Sequence, residues 1–148
     1  MKRFQFPLDR VCKWRHDQVE LEELKLQQLY ARLRVAEDAF QALLRDQEAN
    51  EKAVLSKGAV YAEDLTSLES FRYYVQHKKV EMEAFRRQME MHIAKQQEVL
   101  LEAHRRFRLL DGLRGKALVT WTAARDKETE ELAAELFLAK RNREMEPR

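Results

Sequence analysis

The feature that most constrains the fold of this chain is a run of residues spaced alternately by three and four positions. The run continues from Leu26 to Val54, and the same spacing extends back to Leu8 with charged interruptions. Such spacing places one stripe of side chains on a single helix face and is typical of a coiled coil, so it predicts one long helix. The predicted seam residues are Leu8, Cys12, Arg15, Val19, Glu22, Leu26, Leu29, Leu33, Ala36, Phe40, Leu43, Gln47, Asn50 and Val54.

A second stripe with the same spacing lies in the other half of the sequence. Its apolar members are Leu65, Leu68, Val75, Met82, Met89, Ile93, Leu100, Ala103, Phe107 and Leu110, and its polar interruptions are Arg72, Lys79, Arg86 and Gln96. Two such stripes bury each other when the chain folds back between them. Equal distances from the fold-back point place Leu43 opposite Val75 and Leu29 opposite Met89. We therefore expect an antiparallel pair of helices.

The composition favours this helical fold over a fold that contains sheets. Only 3 Gly and 2 Pro occur in 148 residues, while 36% of the residues are charged, and sheets with their turns need more Gly and Pro. We predict an all-α chain of two long helices that form an antiparallel coiled-coil hairpin, with the second helix overshooting the first. We predict a single hairpin domain over residues 1–148, with helix 1 at about 8–56, a connection at about 57–63, helix 2 at about 64–140 and a flexible C-terminal tail.

Small and polar residues mark the predicted helix ends. Gly58 is expected to end helix 1 in the left-handed conformation. Asp64, or a capping box that begins at Thr66, would cap helix 2. Gly112 and Gly115 each weaken a helix by up to about 1 kcal/mol relative to Ala, so the sequence predicts a hinge or fraying there.

Charge, cysteine content and hydropathy bear on the compartment. The net charge of +2 is too small to imply nucleic acid or acidic lipid by itself. The single cysteine fits a reducing compartment. The longest uncharged stretch has 8 residues, far short of the roughly 20 that cross a bilayer, and the opening residues lack the apolar run of a secretory signal. We expect a cytosolic protein that does not insert into a membrane.

The sequence contains no pattern for catalysis or metal binding. Its four histidines, which are His16, His77, His92 and His104, lack the one-turn spacing that metal sites on helices need. Neither common glycine-rich phosphate-binding pattern occurs. Cys12 falls on the seam, where a buried thiol is favoured over a nucleophile. We expect a protein without enzymatic activity, cofactor or metal.

Basic residues cluster once the two predicted helices are laid side by side. They are Arg10, Lys13 and Arg15 on helix 1 and Arg105, Arg106 and Arg108 on helix 2, joined by Lys2, Arg3, Arg114 and Lys116. Two interpretations stay open, namely a solvated helix face and a docking surface for an acidic partner. Nucleic acid is a weaker third, because aromatic residues for base stacking are sparse.

Apolar residues at outward positions form a second candidate surface. Trp14, Leu21 and Val35 share one outward position, and Tyr73 and Tyr74 point outward near the connection. A two-stranded coil cannot bury such side chains, so they suggest a partner. The alternative is an error of one position in the register, which would place some of them in the seam.

Three stretches of the sequence together resemble a known family. They are the opening FQFPLDRV with the following Trp14 and Arg15, the stretch EAHRRFRLLDGLR and the closing ELAAELFLAKR. In this order and spacing they resemble the flagellar export protein family FliJ, small coiled-coil components of the flagellar type III secretion apparatus. The resemblance covers nearly the whole chain.

The resemblance implies a cytosolic stalk, similar to the central shaft of rotary ATPases, at the flagellar basal body on the inner membrane. It implies binding to the hexameric flagellar export ATPase, contact with the cytoplasmic part of the membrane export gate and, in some members, binding to export chaperones. Carried onto this chain, the ATPase-facing residues are Arg10, Lys13, Arg105, Arg106, Arg108 and Arg114, and the gate-contacting residues are Phe71, Tyr74 and Val75. Lys78 and Lys79 depart from the small or polar residues that family members often carry after this point.

The expected function is therefore that of a non-enzymatic coupling protein for bacterial flagellar protein export, and hence for motility. One alternative is the equivalent stalk protein of a virulence type III secretion system, which would share the architecture. From a different class, a coiled-coil nucleic-acid-binding protein would use the same basic residues.

Overall fold

The computed structural model describes residues 3–145, which contain two α-helices and no strand. Helix α1 spans Asp9–Leu55 and helix α2 spans Ala62–Met145, so the second helix, of 84 residues, is longer than the first, of 47. The two helices pack against each other. The predicted all-α fold is thus confirmed. The predicted flexible tail is helical as far as Met145, and Lys2 and residues 146–148 lie outside the described part of the chain.

The chain divides into two compact units. The loop unit comprises Glu20–Leu101, and the terminal unit comprises the described residues of Met1–Val19 and Glu102–Arg148. In the loop unit the two helices are antiparallel and are joined by residues 56–61. Glu51 pairs with Arg72 at 2.7 Å, and Glu37 pairs with Arg86 at 3.2 Å. Because earlier residues of α1 meet later residues of α2, these ion pairs fix the antiparallel direction.

Asp64 organises the start of α2. Its carboxylate accepts the backbone N–H of Tyr61 at 3.2 Å and the ammonium group of Lys57 at 3.1 Å. These bonds lower the pKa of Asp64, with the Tyr61 N–H as the larger cause. Thr66 instead donates its hydroxyl hydrogen to the carbonyl of Ala62 and caps nothing. Of the two predicted caps, Asp64 is therefore the one that forms, from the third helical position.

Gly58 does not adopt the predicted left-handed conformation. No described residue, glycine or other, has a positive φ. The last turn of α1 is instead closed by the backbone N–H of Ser56 to the carbonyl of Lys52 at 3.0 Å, and Ser56 Oγ donates to the carbonyl of Ala53. The serine side chain therefore satisfies a free carbonyl group of the helix end without the glycine.

The seam of the loop unit follows the prediction on α1 and departs from it on α2. The buried apolar residues of α2 are Leu68, Val75, Met82, Met89 and Ile93. All predicted α1 positions from Glu22 to Val54 are buried or half-buried except Asn50, which is exposed.

On α2 three of the four predicted polar interruptions are wrong, and the fourth, Gln96, is half-buried as predicted. Arg72, Lys79 and Arg86 are exposed, and the half-buried seam positions are their preceding neighbours, Phe71, Lys78 and Phe85. Two of these neighbours are large aromatic residues, which gain more from burial than an arginine does.

The observed pairing is also displaced by about one helical turn from the predicted one. Leu29, predicted opposite Met89, lines a groove with His92 and Gln96. Similarly, Leu43 lies beside Lys78 and Met82. The first turn of α2 is used in closing the connection. Leu65 is consequently 53% exposed, and the seam of α2 begins only at Leu68.

The terminal unit contains the beginning of α1 and the second part of α2. Cys12 and Val19 are buried, as predicted, and the Cys12 thiol is unbonded. Leu8, also predicted in the seam, is exposed. Asp9 pairs with Arg114 at 3.4 Å, and the ring centroids of His16 and Phe107 are 5.4 Å apart.

Packing in the terminal unit continues beyond the first residue of α1. The non-helical residues 3–6 place Phe4 against Trp121, with ring centroids 5.8 Å apart. Helix α2 runs through Gly112 and Gly115 without the predicted break. Within residues 3–145, no helix has both the length and the apolarity that crossing a membrane requires.

Candidate docking surfaces

The terminal unit carries a cluster of exposed cationic side chains. We call it the basic patch, and its members are Arg10, Lys13, Arg105, Arg106, Arg108 and Arg114. All six belong to regular turns of α1 or α2, so their Cα positions are fixed by the helices. Arg3 and Lys116 are exposed in the same unit.

Half of the basic patch is neutralised within the chain. Glu102 accepts from Arg106 at 2.9 Å and lies 4.0 Å from Arg105, and Arg114 pairs with Asp9. These ion pairs are exposed to solvent, where each contributes little to stability. They nevertheless reduce the positive potential that a partner would meet at the three arginines.

The other half has no acidic partner. Among the described residues, no carboxylate lies within ion-pair distance of Arg10, Lys13 or Arg108. A positive charge without a partner costs nothing while it is solvated, and it can attract an acidic surface from a distance. Arg10, Lys13 and Arg108 are therefore the residues of the patch best suited to a contact between proteins.

The displaced register changes which basic residues are neighbours. Arg10 shares a groove with Arg114 and the segment around Phe6, whereas it was predicted beside Arg105 and its neighbours. Lys13 lies in a second groove with Phe107 and Asp111. The six predicted residues are all exposed, but the sequence placed the two helices about one turn out of step.

The loop unit carries an aromatic patch, which we define as Phe71 and Tyr74. Their rings stack with centroids 6.3 Å apart and an interplanar angle of 20°. The ammonium group of Lys78 lies 5.7 Å from the Tyr74 centroid and pairs with Glu81 at 2.8 Å. The hydrogen bond with Glu81 is the main reason that the pKa of Lys78 is raised. Lys78 thus covers one face of the patch.

Val75 does not belong to this surface. It is 5% exposed and sits in the seam between the helices, so it offers no surface to a partner. Its predicted role as a gate-contacting residue is replaced by a structural one. Phe71 is half-buried and Tyr74 is 48% exposed, so these two remain accessible.

An apolar groove of about 340 Å³ lies between the helices of the loop unit. It is lined by Ala36, Ala39, Phe40, Leu43, Lys78, Glu81, Met82 and Phe85. Sequence reasoning missed this groove because it assigned Arg86 to the seam. A preference for the aromatic member of each neighbouring pair, Phe71 over Arg72 and Phe85 over Arg86, would have found it.

The apolar residues that were predicted at outward positions are exposed in the structure. Trp14 is 50% exposed with the Arg15 guanidinium 4.6 Å from its ring centroid, while Val35 and Tyr73 are 69% and 78% exposed. A register error of one position therefore does not account for them.

Comparison of this chain with known protein families, with characterised proteins and with solved structures finds no match to any of them.

Proposed function

We propose that this chain is a non-enzymatic coupling protein of the flagellar type III protein export apparatus. In this proposal the basic patch binds the hexameric export ATPase, and the aromatic patch binds the cytoplasmic part of the export gate. Export chaperones are further partners. The protein would act in the cytoplasm, associated peripherally with the basal body, and would influence the ATPase by binding one state of the ring better than another.

The observation that supports this proposal most directly is the set of three cations without an acidic partner, Arg10, Lys13 and Arg108. Charges of this kind mainly accelerate association and discriminate between partners. The resemblance of the opening, middle and closing segments to the FliJ family supplies the identity of the partner. The stacked rings of Phe71 and Tyr74 supply an accessible aromatic contact, a residue type that is enriched at interfaces.

The test is a charge reversal in the basic patch. We expect the variant Arg10→Glu, Lys13→Glu and Arg108→Glu to bind a purified flagellar export ATPase at least tenfold more weakly than the parent chain at low salt. The difference in affinity between the variant and the parent chain should become smaller as the salt concentration rises, because salt screens exposed charges. Isothermal titration calorimetry at two salt concentrations measures both effects.

A matched control reverses three cations of the loop unit. Arg34, Arg45 and Arg87 are exposed, and no carboxylate among residues 3–145 lies within ion-pair distance of them. Changing all three to Glu gives the same change in net charge, and we expect ATPase binding to be retained. The assignment of the patch would be contradicted if both triple variants weakened ATPase binding equally. It would also be contradicted if neither variant weakened ATPase binding.

Two alternative functions make different predictions for the same patch. A stalk of a virulence secretion system would bind the ATPase of that system in preference to the flagellar one. A nucleic-acid-binding protein would bind duplex or single-stranded oligonucleotides with a steep dependence on salt, because neutralised phosphates release counterions. Either result would replace the flagellar proposal.

A further inference from the structure

The seam of the loop unit has two flanks, and polar side chains bridge the helices across one of them. Glu37 pairs with Arg86 at 3.2 Å, and Gln97 donates to the hydroxyl group of Tyr30 at 3.0 Å. Tyr30 and Glu37 are one heptad apart on α1, so they lie on the same side of that helix. We call this side the bridged flank.

Two grooves follow one another along the opposite side of the seam, which we call the open flank. One is the apolar groove of about 340 Å³ that includes Ala39, and the other, of about 400 Å³, includes Leu29, Arg32 and Val99. Arg32 and Ala39 each precede a seam residue of α1, whereas Glu37 follows one, and these positions lie on opposite sides of a coiled-coil seam. The open flank therefore exposes apolar surface between the helices.

Positive charge without a partner borders the second groove on both helices. Arg32 of α1 and Lys95 of α2 line it and are exposed, and within residues 3–145 no carboxylate lies within ion-pair distance of either. Lys78 and Glu81 at the apolar groove, in contrast, pair with each other. Such a flank suits a helix that combines an apolar stripe with acidic residues.

The far end of α2 has this complementary composition. Leu132, Leu136 and Phe137 form a stripe on one face of the helix, and each is more than half exposed. Glu130 and Glu135 lie on either side of the stripe, and no cation in the described part of the chain is within ion-pair distance of them. Residues 126–139 contain 5 acidic residues and a single lysine.

We infer that the open flank of one copy of the chain binds residues 126–143 of α2, the tail segment, from a second copy. Both surfaces then gain apolar contacts that each lacks in a single copy, and carboxylates meet cations that have no partner. The lengths also agree, because the open flank from Lys25 to Leu43 and the tail segment each span about 27 Å at about 1.5 Å per residue. This inference goes beyond the proposed function and does not rest on it.

The charges also fix the direction of the bound segment. When it runs parallel to α1, Glu130 and Glu135 lie toward the cations of the second groove, and the stripe continues toward the apolar groove. In the reverse direction Lys140 and Arg143 would approach those cations, and like charges repel. Because a single helix covers less area than a standard interface, we expect an association that is weak and depends on concentration.

Two chains with one cysteine each test this contact directly, with Cys12→Ala as the background of both. One chain carries Ala39→Cys in the apolar groove, and the other carries Ala139→Cys at the end of the stripe. After mild oxidation of the mixture, we expect at least tenfold more mixed disulfide than disulfide between two Ala39→Cys chains. A contact within a single chain cannot produce the mixed disulfide, because each chain has only one cysteine.

Matched variants of the tail segment test the role of the stripe. We expect Leu132→Glu with Leu136→Glu to weaken self-association at least tenfold, measured by sedimentation equilibrium over a range of chain concentrations. Ala134→Glu with Leu138→Glu makes the same change in charge on the opposite face of the helix, where both residues are exposed. This control should associate as the parent chain does.

A charge exchange between the two chains of the cross-linking mixture tests the match of acidic and basic residues. Arg32→Glu with Lys95→Glu in the Ala39→Cys chain should reduce the mixed disulfide. Adding Glu130→Lys with Glu135→Lys to the Ala139→Cys chain should then restore it, because the opposite charges face each other again.

A parent chain that stays monomeric at every concentration would overturn the inference and would leave the open flank to a helix of another protein. Self-association that survives the loss of Leu132 and Leu136 would overturn it as well, because the copies would then meet through a different surface. A mixed disulfide that the charge exchange fails to restore would contradict the proposed direction of the tail segment.

Discussion

Glu22 is buried as a carboxylate whose desolvation is offset by hydrogen bonds. The hydrogen bond from Gln96, and after it the bond from Lys25, hold the pKa of Glu22 below its ordinary value. A carboxyl group whose pKa is lower in the folded state stabilises the fold above its unfolded pKa of about 4.3. That contribution is lost as the pH falls through the folded pKa.

We therefore predict that the parent chain loses more stability between pH 7 and pH 3 than the Glu22→Gln variant does. Urea unfolding at a series of pH values measures this difference. The variant isolates Glu22 from the other carboxylates with lowered pKa values, such as Glu51 and Asp64, because they are present in both chains. Parallel curves for the two chains would show that Glu22 titrates alike in the folded and unfolded states.

For single residues, the sequence predicted burial better than it predicted which residues would be in contact. Cys12, Val19 and Glu22 are buried, as their spacing required. The six members of the basic patch are exposed, as predicted. The pairing of Arg106 with Glu102 follows from their spacing of four on one helix. The pairing of Arg114 with Asp9 joins the two helices, so it depends on a register that the sequence did not predict correctly.

Helix α2 changes its repeat within the loop unit, and this explains why its seam was partly mispredicted. From Leu68 to Met89 the inward positions of α2 are spaced alternately by three and four residues, and the last step, from Phe85 to Met89, is a step of four. The next inward residue is Ile93, again four positions later. Two successive steps of four amount to a stutter, which locally shifts the inward face of a helix. A strict alternation carried backwards from Ile93 therefore lands on Arg86 in place of Phe85. Nothing in a uniform heptad template reveals such a shift.

The two glycines of α2 have no structural requirement that only glycine meets. Gly112 and Gly115 lie within a regular helix, and a Cβ atom at either position would meet nothing within 4 Å. We predict that Gly112→Ala and Gly115→Ala each stabilise the chain by up to about 1 kcal/mol, because glycine is the poorer helix former.

Urea unfolding measures this stabilisation, and Gly58→Ala is the matched control. Gly58 is equally open but lies outside the helices, so its substitution gains no helix propensity. Lower stability in either α2 variant would indicate that the glycine serves a local distortion or a contact with a partner.

Burial is uneven along the whole molecule. No described side chain is less than 2% exposed, since a seam between two helices covers each residue from one side only. The deepest residues are Met89 at 3%, Cys12 at 4% and Val75 at 5%, so both units contain buried seam residues. In contrast, every residue of 123–145 is exposed, although the segment is helical throughout. Most of the stability of a helix in a protein comes from packing of one of its faces, and this segment has no buried face.

We therefore predict a steep gradient of amide hydrogen exchange along α2. Amides around Val75 and Met89 should exchange only through opening of the packed seam, whereas amides of residues 123–145 should exchange through local unfolding at low free energy. We expect the amides of residues 123–145 to exchange at least tenfold faster than those around Val75 and Met89. Hydrogen exchange of the dilute purified chain, followed by mass spectrometry, measures both rates. Leu136 and Phe137 are exposed apolar residues in this segment, and another molecule could cover them. Strong protection of this segment would mean that another molecule covers it, and a protection that disappears on dilution would identify that molecule as a second copy of the chain.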